Sequence, residues 1–117
     1  MIVNFALKKN ILIVRLRCDL DHHNTEKVRD VIDYNIEKKE VRHVLIDMED
    51  VSFMDSSGIG LILGRYKKIV AKDGRIAFIN IAHDIAKMLK LSGIFLLAKV
   101  YDNEKEAFIQ LGKGDEI

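Results

Sequence analysis

The chain has 117 residues, of which 49% are hydrophobic, and its 19 basic and 18 acidic side chains leave a formal net charge of +1. This length fits a single domain, residues 1–117, whose core needs no disulfide or metal to hold it. Interleaved charges argue against a nucleic-acid footprint and a basic membrane-binding stripe, and no apolar run approaches the ~20 residues of a membrane span. We see no signal-peptide pattern, and the lone Cys18 fits a reducing cytoplasm.

The first predicted element is a β-hairpin. Two β-prone runs, Met1–Leu7 and Ile11–Arg17, flank the turn residues 8–10. Apolar and more polar positions alternate in the second run, which is typical of a strand covered on one face. We therefore expect Arg15 and Arg17 to face outward.

The polar segment Cys18–Thr25 predicts a loop that leads into a helix. Asp21 and Asn24 are both plausible N-caps of that helix. Apolar residues then recur at helical spacing and predict a helix that extends to about Lys39. The predicted buried side contains Val28, Val31, Ile32 and Ile36.

The compact apolar run Val44–Ile46 is too short for a helix and indicates a strand buried on both faces, as in a partly parallel sheet. The sequence stays polar after it until Phe53 and Met54, which we expect to return to the core. An apolar stripe three turns long then predicts the most regular helix, with Arg65 off the stripe. The stripe consists of Ile59, Ile62, Leu63, Tyr66, Ile69 and Val70.

The second half of the chain continues the alternation of strands and helices. Asp73-Gly74 predicts a turn into a strand over Arg75–Asn80. His83-Asp84 can start a third helix, and Ser92-Gly93 can end it, because glycine suits the left-handed position past a helix end. The residues Ile94–Tyr101 are predicted to form the last strand.

A cap residue, Asn103, with Glu106 three positions on is close to a capping box and predicts the last helix, which Gly112 should end. The tail from Lys113 is expected to fray. The element order β-β-α-β-α-β-α-β-α predicts an α/β fold with a mixed, mainly parallel sheet of four to five strands and about four helices.

The turn between the third strand and the second helix holds most of the chemistry. Side-chain oxygens of Asp55 or Ser56 can cap the helix, and capping alone would explain Asp55 and Ser57. The same helix terminus favours an anion, including a phosphate on a serine. Gly58 and Gly60 leave room for a partner to come close. Anion binding, phosphorylation and docking therefore all remain open.

Catalytic and metal-binding interpretations fit poorly. A nucleophile elbow needs glycine two residues before and two after the serine, and Ser57 has Asp55 and Ile59 there. The adjacent His22 and His23 match no zinc spacing. The acidic residues after the third strand are better explained as a solvated turn than as a divalent-cation site; they are Asp47, Glu49 and Asp50.

Four segments together resemble the anti-sigma factor antagonists of the STAS domain class, and most of all the sporulation branch of that family. They are Leu20-Asp21-His22-His23, Arg42-His43, Ser52–Lys67 and Leu91–Phe95. The resemblance covers essentially the whole chain and implies the STAS fold. One departure is Cys18-Asp19, where relatives often have Gly-Glu.

The resemblance also implies a function. In the family the first serine after the aspartate is phosphorylated, which corresponds to Ser56. The kinase is the anti-sigma factor itself and uses ATP, a dedicated serine phosphatase removes the phosphate, and the unphosphorylated antagonist frees a sigma factor for sporulation-type transcription. The partner-binding residues carried over are Asp21, Asp55, Ser56, Ser57 and Gly60.

We therefore expect a cytoplasmic, monomeric regulator that has no enzymatic activity, no cofactor and no bound metal of its own, and that binds neither nucleic acid nor membrane. Three alternatives remain open: an antagonist in the general-stress pathway, a STAS scaffold that assembles with its own kind, and a nucleotide-binding module acting through the same turn.

Overall fold

The computed structural model describes residues 2–113, so Met1, the predicted start of the hairpin, and the predicted fraying after Lys113 lie outside the described residues. The elements occur in the predicted order. They are β1 (Val3–Lys8), β2 (Ile11–Leu16), α1 (Thr25–Ile36), β3 (His43–Asp47), α2 (Ser56–Val70), β4 (Ile76–Ile79), α3 (His83–Ser92), a 3₁₀ helix (Ile94–Leu96), β5 (Lys99–Val100) and α4 (Glu104–Lys113).

The strands form one five-stranded sheet in the order β1-β2-β3-β4-β5. β1 pairs antiparallel with β2, and the other neighbours pair in parallel. This confirms the predicted mixed, mainly parallel sheet. Because β2 and β3 are parallel neighbours, their carboxyl ends lie at the same edge, and the loops that leave them towards α1 and α2 meet there.

The sheet is covered on both faces. Residues of α1, α2 and α3 pack on one face, and α4 packs on the other. β3 is buried along its whole length, as predicted. The prediction that β2 is covered on only one face is wrong, because Ile11 and Ile13 lie buried beneath α4.

Arg15 does not simply face solvent as predicted. Its side chain is half-buried and bridges β3 and α4, with Nη1 2.9 Å from Asp47 Oδ2 and Nη2 2.7 Å from Glu104 Oε1. The hydrogen bond from Arg15 holds the pKa of Glu104 below its usual range. Arg17 is exposed as predicted and pairs with Asp50. Arginines thus pair with two of the three acidic residues at the end of β3 and just after it, Asp47 and Asp50.

α1 is shorter than predicted and ends at Ile36 instead of Lys39. The chain turns after it because Val41 has to reach the core, where it is fully buried. Lys72 Nζ stabilises the turn by donating to the carbonyl of Ile36 at 2.6 Å. Val31 was predicted on the buried side but is exposed, and the buried residues of α1 are Val28, Ile32 and Ile36.

The last strand is the largest error among the predicted elements. Gly93 ends α3 in the left-handed conformation (φ 85°), as predicted. The apolar run after it forms a 3₁₀ helix that buries Ile94 but leaves Leu96 90% exposed, so that β5 contains only two residues. Asn103 Oδ1 accepts from the N–H of Glu106 at 2.8 Å, which confirms the predicted cap, although α4 continues past Gly112.

Among the glycines of residues 2–113, Gly74 is expected to be the least replaceable. A Cβ at this position would lie 1.7 Å from the backbone carbonyl oxygen of Arg42, which cannot move without displacing the start of β3. Overpacking of this kind typically destabilises by about 1–3 kcal/mol, and we expect Gly74→Ala at the upper end of that range. Urea unfolding measures the loss.

Gly64→Ala is the matched control, because nothing lies within 4 Å of a Cβ at Gly64 and its position inside α2 favours alanine. We expect this control to stabilise the fold by roughly 0.5–1 kcal/mol. Equal unfolding midpoints for Gly74→Ala and the wild type would contradict the steric argument.

Candidate functional site

The loops that follow β2 and β3 are joined by a short parallel bridge between Leu20 and Met54. The N–H of Leu20 donates to the carbonyl of Phe53 at 3.1 Å, and the N–H of Asp55 donates to the carbonyl of Leu20 at 3.2 Å. Leu20 and Met54 are both buried, so the bridge anchors the two loops to the core. It brings Asp21 and Asp55, which are far apart in sequence, to the same edge of the sheet.

Asp19 makes a second set of hydrogen bonds between the two loops. Its Oδ1 accepts three hydrogen bonds of 3.0 Å, from the N–H and hydroxyl of Ser52 and from the N–H of Phe53. Its carbonyl accepts from Asn24 Nδ2 at 3.0 Å. Sequence reasoning noted Asp19 only as a departure from relatives. Its positioning role was missed because its partners lie more than 30 residues away.

Asp55 is the N-cap of α2, which begins at Ser56, and this confirms the predicted capping position. Its Oδ1 accepts from the N–H of Ser57 at 2.8 Å, and its Oδ2 accepts from the N–H of His22 at 3.3 Å. One carboxylate therefore both caps α2 and holds the loop that leads to α1. The second contact was not predicted.

These contacts determine the ionisation of Asp55. Desolvation raises the pKa of Asp55, but hydrogen bonds from Ser57 and from the N–H of His22 outweigh it and hold the pKa below its usual range. A carboxyl whose pKa is lower in the folded state stabilises the fold above its unfolded pKa of about 3.9. This contribution is lost as the pH falls through the folded pKa.

We expect Asp55→Ala to be less stable than the wild type at pH 7, with a difference that shrinks as the pH is lowered below about 4, towards the folded pKa of Asp55. Protonation removes from the wild type the charged hydrogen bonds that alanine never makes. Chemical unfolding of both proteins between about pH 3 and pH 7 measures the difference. A difference that is constant over this range would show that the ionised carboxylate contributes no stability.

The serines at the start of α2 differ in accessibility. Ser56 is exposed, whereas Ser57 is half-buried and its N–H donates to Asp55 Oδ1. The two nearby glycines differ too. A Cβ at Gly58 would lie 2.4 Å from Met54 Cγ, so glycine is needed for α2 to pack on the bridge, whereas nothing lies within 4 Å of a Cβ at the exposed Gly60.

Asp21 shapes the loop beside these serines. Its Oδ1 accepts from the N–H groups of His23 and Asn24, both at 3.0 Å, and its carbonyl accepts from the N–H of Thr25 at 3.0 Å. Asn24 holds the N-cap position of α1 but its side chain makes no capping hydrogen bond. Of the two predicted N-cap residues, Asn24 thus occupies the N-cap position, whereas the side chain of Asp21 accepts the hydrogen bonds from the backbone just before the helix.

Phe53 was predicted to return to the core and instead is 54% exposed. Met54 occupies the buried position of the bridge, and successive side chains of an extended segment point to opposite sides, so Phe53 must point away from the core. The result is an exposed aromatic ring three residues before Ser56. Aromatic residues are enriched in the cores of protein–protein interfaces.

The buried side of α2 also differs from the predicted stripe. Val70 is exposed and Arg65 is buried, because Arg65 faces α1, where its Nε lies 2.8 Å from Asp33 Oδ1. The buried residues of α2 are Gly58, Leu61, Ile62, Arg65 and Ile69. Between α1 and α2 runs a groove of about 500 Å³ whose walls include Ser57 and Gly60.

The structure therefore brings together all the predicted partner-binding residues. Ser56, Ser57 and Gly60 lie in the first two turns of α2, and Asp55 caps that helix. The Asp55–His22 hydrogen bond connects them to the Asp21 loop. Within residues 2–113 no three His, Cys, Asp or Glu side chains are grouped as a metal would require. No helix in that range has the length and apolar character to span a membrane.

Comparison with known proteins agrees with this architecture. The model of the STAS domain family matches residues 3–107. The anti-sigma F factor antagonist of Paenibacillus polymyxa is 40% identical over 103 residues, which are 88% of each chain. The structure of the anti-sigma factor antagonist SpoIIAA in its unphosphorylated form superposes with a TM-score of 0.80 at 30% identity, covering 98% of this chain and 97% of the other.

A structure of the Bacillus cell fate determinant SpoIIAA in its phosphorylated form is similar too, with a TM-score of 0.73 and 31% identity over 92% of this chain and 97% of that one. The family match covers most of the chain, and the identity to the Paenibacillus protein extends over nearly all of both sequences. The chain belongs to the STAS domain family and, within it, to the anti-sigma factor antagonists.

Proposed function

We propose that the unphosphorylated form of this chain binds an anti-sigma factor that is also a serine kinase, and thereby releases a sigma factor. Phosphorylation of Ser56 ends the binding. The observation that carries the proposal is that Ser56 is exposed at the start of α2, where the loops after β2 and β3 are joined by hydrogen bonds. We call the surface formed here by Asp21, Asp55, Ser56, Ser57 and Gly60 the docking surface.

Accessibility favours Ser56 over Ser57 as the phosphorylated residue. A kinase has to place the acceptor hydroxyl in line with the γ-phosphate of ATP, which requires that the hydroxyl can leave its own surface. Ser56 is exposed, whereas Ser57 is half-buried beside the Asp55 carboxylate, which accepts from its N–H. The existence of a phosphorylated form of the related SpoIIAA supports the same modification here.

A phosphate on Ser56 would change the surface without unfolding the protein. It adds about −1.5 to −2 charges at the N-terminus of a helix, where the unpaired N–H groups and the helix dipole favour negative charge. Ser56 is the first residue of α2, and the Asp55 carboxylate adjoins it. The docking surface thus becomes strongly negative and bulkier, and it repels partner carboxylates that approach it.

The proposal extends to the other components of the regulatory system. The partner kinase uses ATP, and this chain needs no cofactor of its own. A serine phosphatase restores the unmodified form. The likeness to an antagonist named for the anti-sigma F factor supports the sporulation branch of the family, and with it a cytoplasmic protein.

Calorimetric titration of the chain into purified anti-sigma F factor of Paenibacillus polymyxa tests the proposal. We expect saturable binding, and on addition of ATP one phosphate per chain on Ser56. Failure of the two proteins to bind each other would contradict the proposal. Tight nucleotide binding by the isolated chain, or a large homo-oligomer in gel filtration, would favour the nucleotide-binding or scaffold alternative.

Gly60→Arg is expected to fold normally and to abolish detectable binding in this titration. A Cβ at Gly60 meets no atom within 4 Å, so the fold tolerates the side chain, but the arginine would project from the docking surface one turn beyond Ser56. Gly112→Arg is the matched control, because that glycine is equally free of neighbours and lies in α4, on the other face of the sheet. Undiminished binding by Gly60→Arg would remove Gly60 from the proposed surface.

A further inference from the structure

Phe53 is an exposed aromatic side chain beside the docking surface. More than half of it is exposed to solvent, although phenylalanine is among the residues most often buried. Within residues 17–24 and 48–55, which form the loops after β2 and β3, no other large apolar side chain is exposed. The Phe53 ring also makes no aromatic or cation–π contact with any residue of the described range 2–113. Packing of the fold therefore does not account for an aromatic residue at this position.

The backbone of Phe53 is held from both sides in the free protein. Its N–H donates to Asp19 Oδ1 at 3.0 Å, and its carbonyl accepts from the N–H of Leu20 at 3.1 Å. The neighbouring Met54 is fixed in the buried position of the bridge. The direction in which the Phe53 side chain leaves the backbone is thus set before any partner binds. An aromatic side chain that is ordered in advance loses little conformational entropy on binding.

Phe53 lies within the area that a protein docked on Ser56 would cover. Ser56 is three positions further along the chain, so the two Cα atoms are at most about 11 Å apart. On the other loop, the hydrogen-bond partner Leu20 directly precedes Asp21 of the docking surface. A specific interface of standard size buries about 800 Å² on each partner, which corresponds to a disc roughly 30 Å across. A partner centred on Ser56 therefore extends past the backbone of Phe53.

We infer that the Phe53 ring inserts into an apolar pocket of the anti-sigma factor and anchors the docked complex. The inference rests on the proposed function and adds an uncharged contact to it. The five residues of the docking surface are acidic, hydroxyl-bearing or glycine, whereas the centre of a specific interface is usually apolar and rich in aromatic residues. Phe53 supplies that apolar contact. The ring and the serine then have different roles, because the ring provides affinity and the phosphate on Ser56 removes it.

Calorimetric titration into the anti-sigma F factor of Paenibacillus polymyxa tests the contact. Phe53→Ala is expected to weaken binding at least tenfold, because truncation of an aromatic anchor is among the costliest changes at an interface. The loss should be similar at low and high salt, since ions screen only charged contacts. Phe53→Leu keeps an apolar side chain and should retain most of the affinity.

Tyr34→Ala is the matched control. It removes an aromatic side chain that is even more exposed, at 71%, and that lies near the end of α1 remote from the docking surface. Its affinity should stay within about twofold of the wild type. An equal loss in Tyr34→Ala and Phe53→Ala would show a general effect of removing exposed aromatic area and would contradict a specific anchor.

The kinetics of phosphorylation separate an anchor from a residue that only shapes the loop. If Phe53 serves docking alone, Phe53→Ala raises the KM of the anti-sigma factor kinase for this chain and leaves kcat unchanged. A side chain that merely holds Ser56 in position would instead affect kcat when it is removed. A fall in kcat at unchanged KM would therefore contradict the inference.

The outcomes also separate this inference from the proposed function. Unchanged affinity of Phe53→Ala, together with wild-type binding, would overturn the anchor and leave the proposed function standing. Absence of wild-type binding would overturn both. If Phe53→Ala fails to fold in circular dichroism, Phe53→Gln decides, because it keeps the bulk but not the apolar surface and should lose at least tenfold. A dimer of the free chain in gel filtration that Phe53→Ala abolishes would assign the ring to a second copy and overturn the inference.

Discussion

Ser56→Ala is expected to incorporate no phosphate when it is incubated with the anti-sigma factor kinase and ATP, while the wild type incorporates one per chain. The substitution removes the exposed acceptor hydroxyl and leaves the N-cap intact, because the capping carboxylate belongs to Asp55. The loss should therefore be complete rather than partial. Intact-protein mass spectrometry after a timed incubation measures it directly.

Ser57→Ala is the control for this result. Its N–H still donates to Asp55 Oδ1, so α2 should begin as in the wild type, and Ser56 should still be phosphorylated. Phosphate found on Ser57 in the Ser56→Ala variant would contradict the assignment. It would mean that the half-buried Ser57 hydroxyl can leave the protein surface and enter the kinase active site.

Ser56→Asp is expected to weaken binding to the anti-sigma factor by at least tenfold. A tenfold loss corresponds to about 1.4 kcal/mol. Two unit charges that are ~10 Å apart at an effective dielectric constant of 20 already repel each other by about 1.7 kcal/mol. One partner carboxylate at moderate distance is therefore enough, and calorimetric titration measures the change.

Ser56→Asn separates charge from bulk, because asparagine has nearly the shape of aspartate without its charge. We expect this variant to bind much more tightly than Ser56→Asp, and the difference should narrow at high salt because ions screen exposed charges. Equal losses for the two variants would show that shape alone controls docking. Wild-type affinity in Ser56→Asp would contradict the charge argument.

The parts of the site that were predicted correctly depend on short-range rules. Asp55 precedes a strongly periodic helix, and a carboxylate at that place caps whatever helix follows, so its position could be read from neighbouring residues. The same holds for Gly93 after α3 and Asn103 before α4. In each case the hydrogen bond or the backbone conformation lies within a few residues of the signal.

The parts that were missed depend on contacts between distant segments. Asp19 holds Ser52 and Phe53, more than 30 residues away, and Arg65 is buried because Asp33 of α1 faces it. Phe53 is exposed because Met54 takes the buried place in the bridge to Leu20. No local sequence pattern indicates which of two adjacent apolar residues faces the core, because the orientation is set by one β-bridge to a distant residue.

The predicted last strand failed for a related reason. Strand propensity favoured the apolar run after Gly93, but β5 pairs with β4 through only two residues. Ile94 packs in the core instead, and the chain turns in the 3₁₀ helix before β5 begins to pair with β4. The β-propensity of a short segment is a weak predictor of a strand when packing of one side chain in the core determines the path of the backbone.

The central claim is that a phosphate on Ser56 controls docking, and the most direct measurement compares the phosphorylated and unphosphorylated wild-type protein in the same calorimetric titration into the anti-sigma factor. We expect the unphosphorylated protein to bind and the phosphorylated protein to lose at least tenfold in affinity, since phosphate carries more charge than the aspartate of Ser56→Asp. Serine phosphatase treatment should restore the original affinity. Equal affinities of the two forms would contradict the claim.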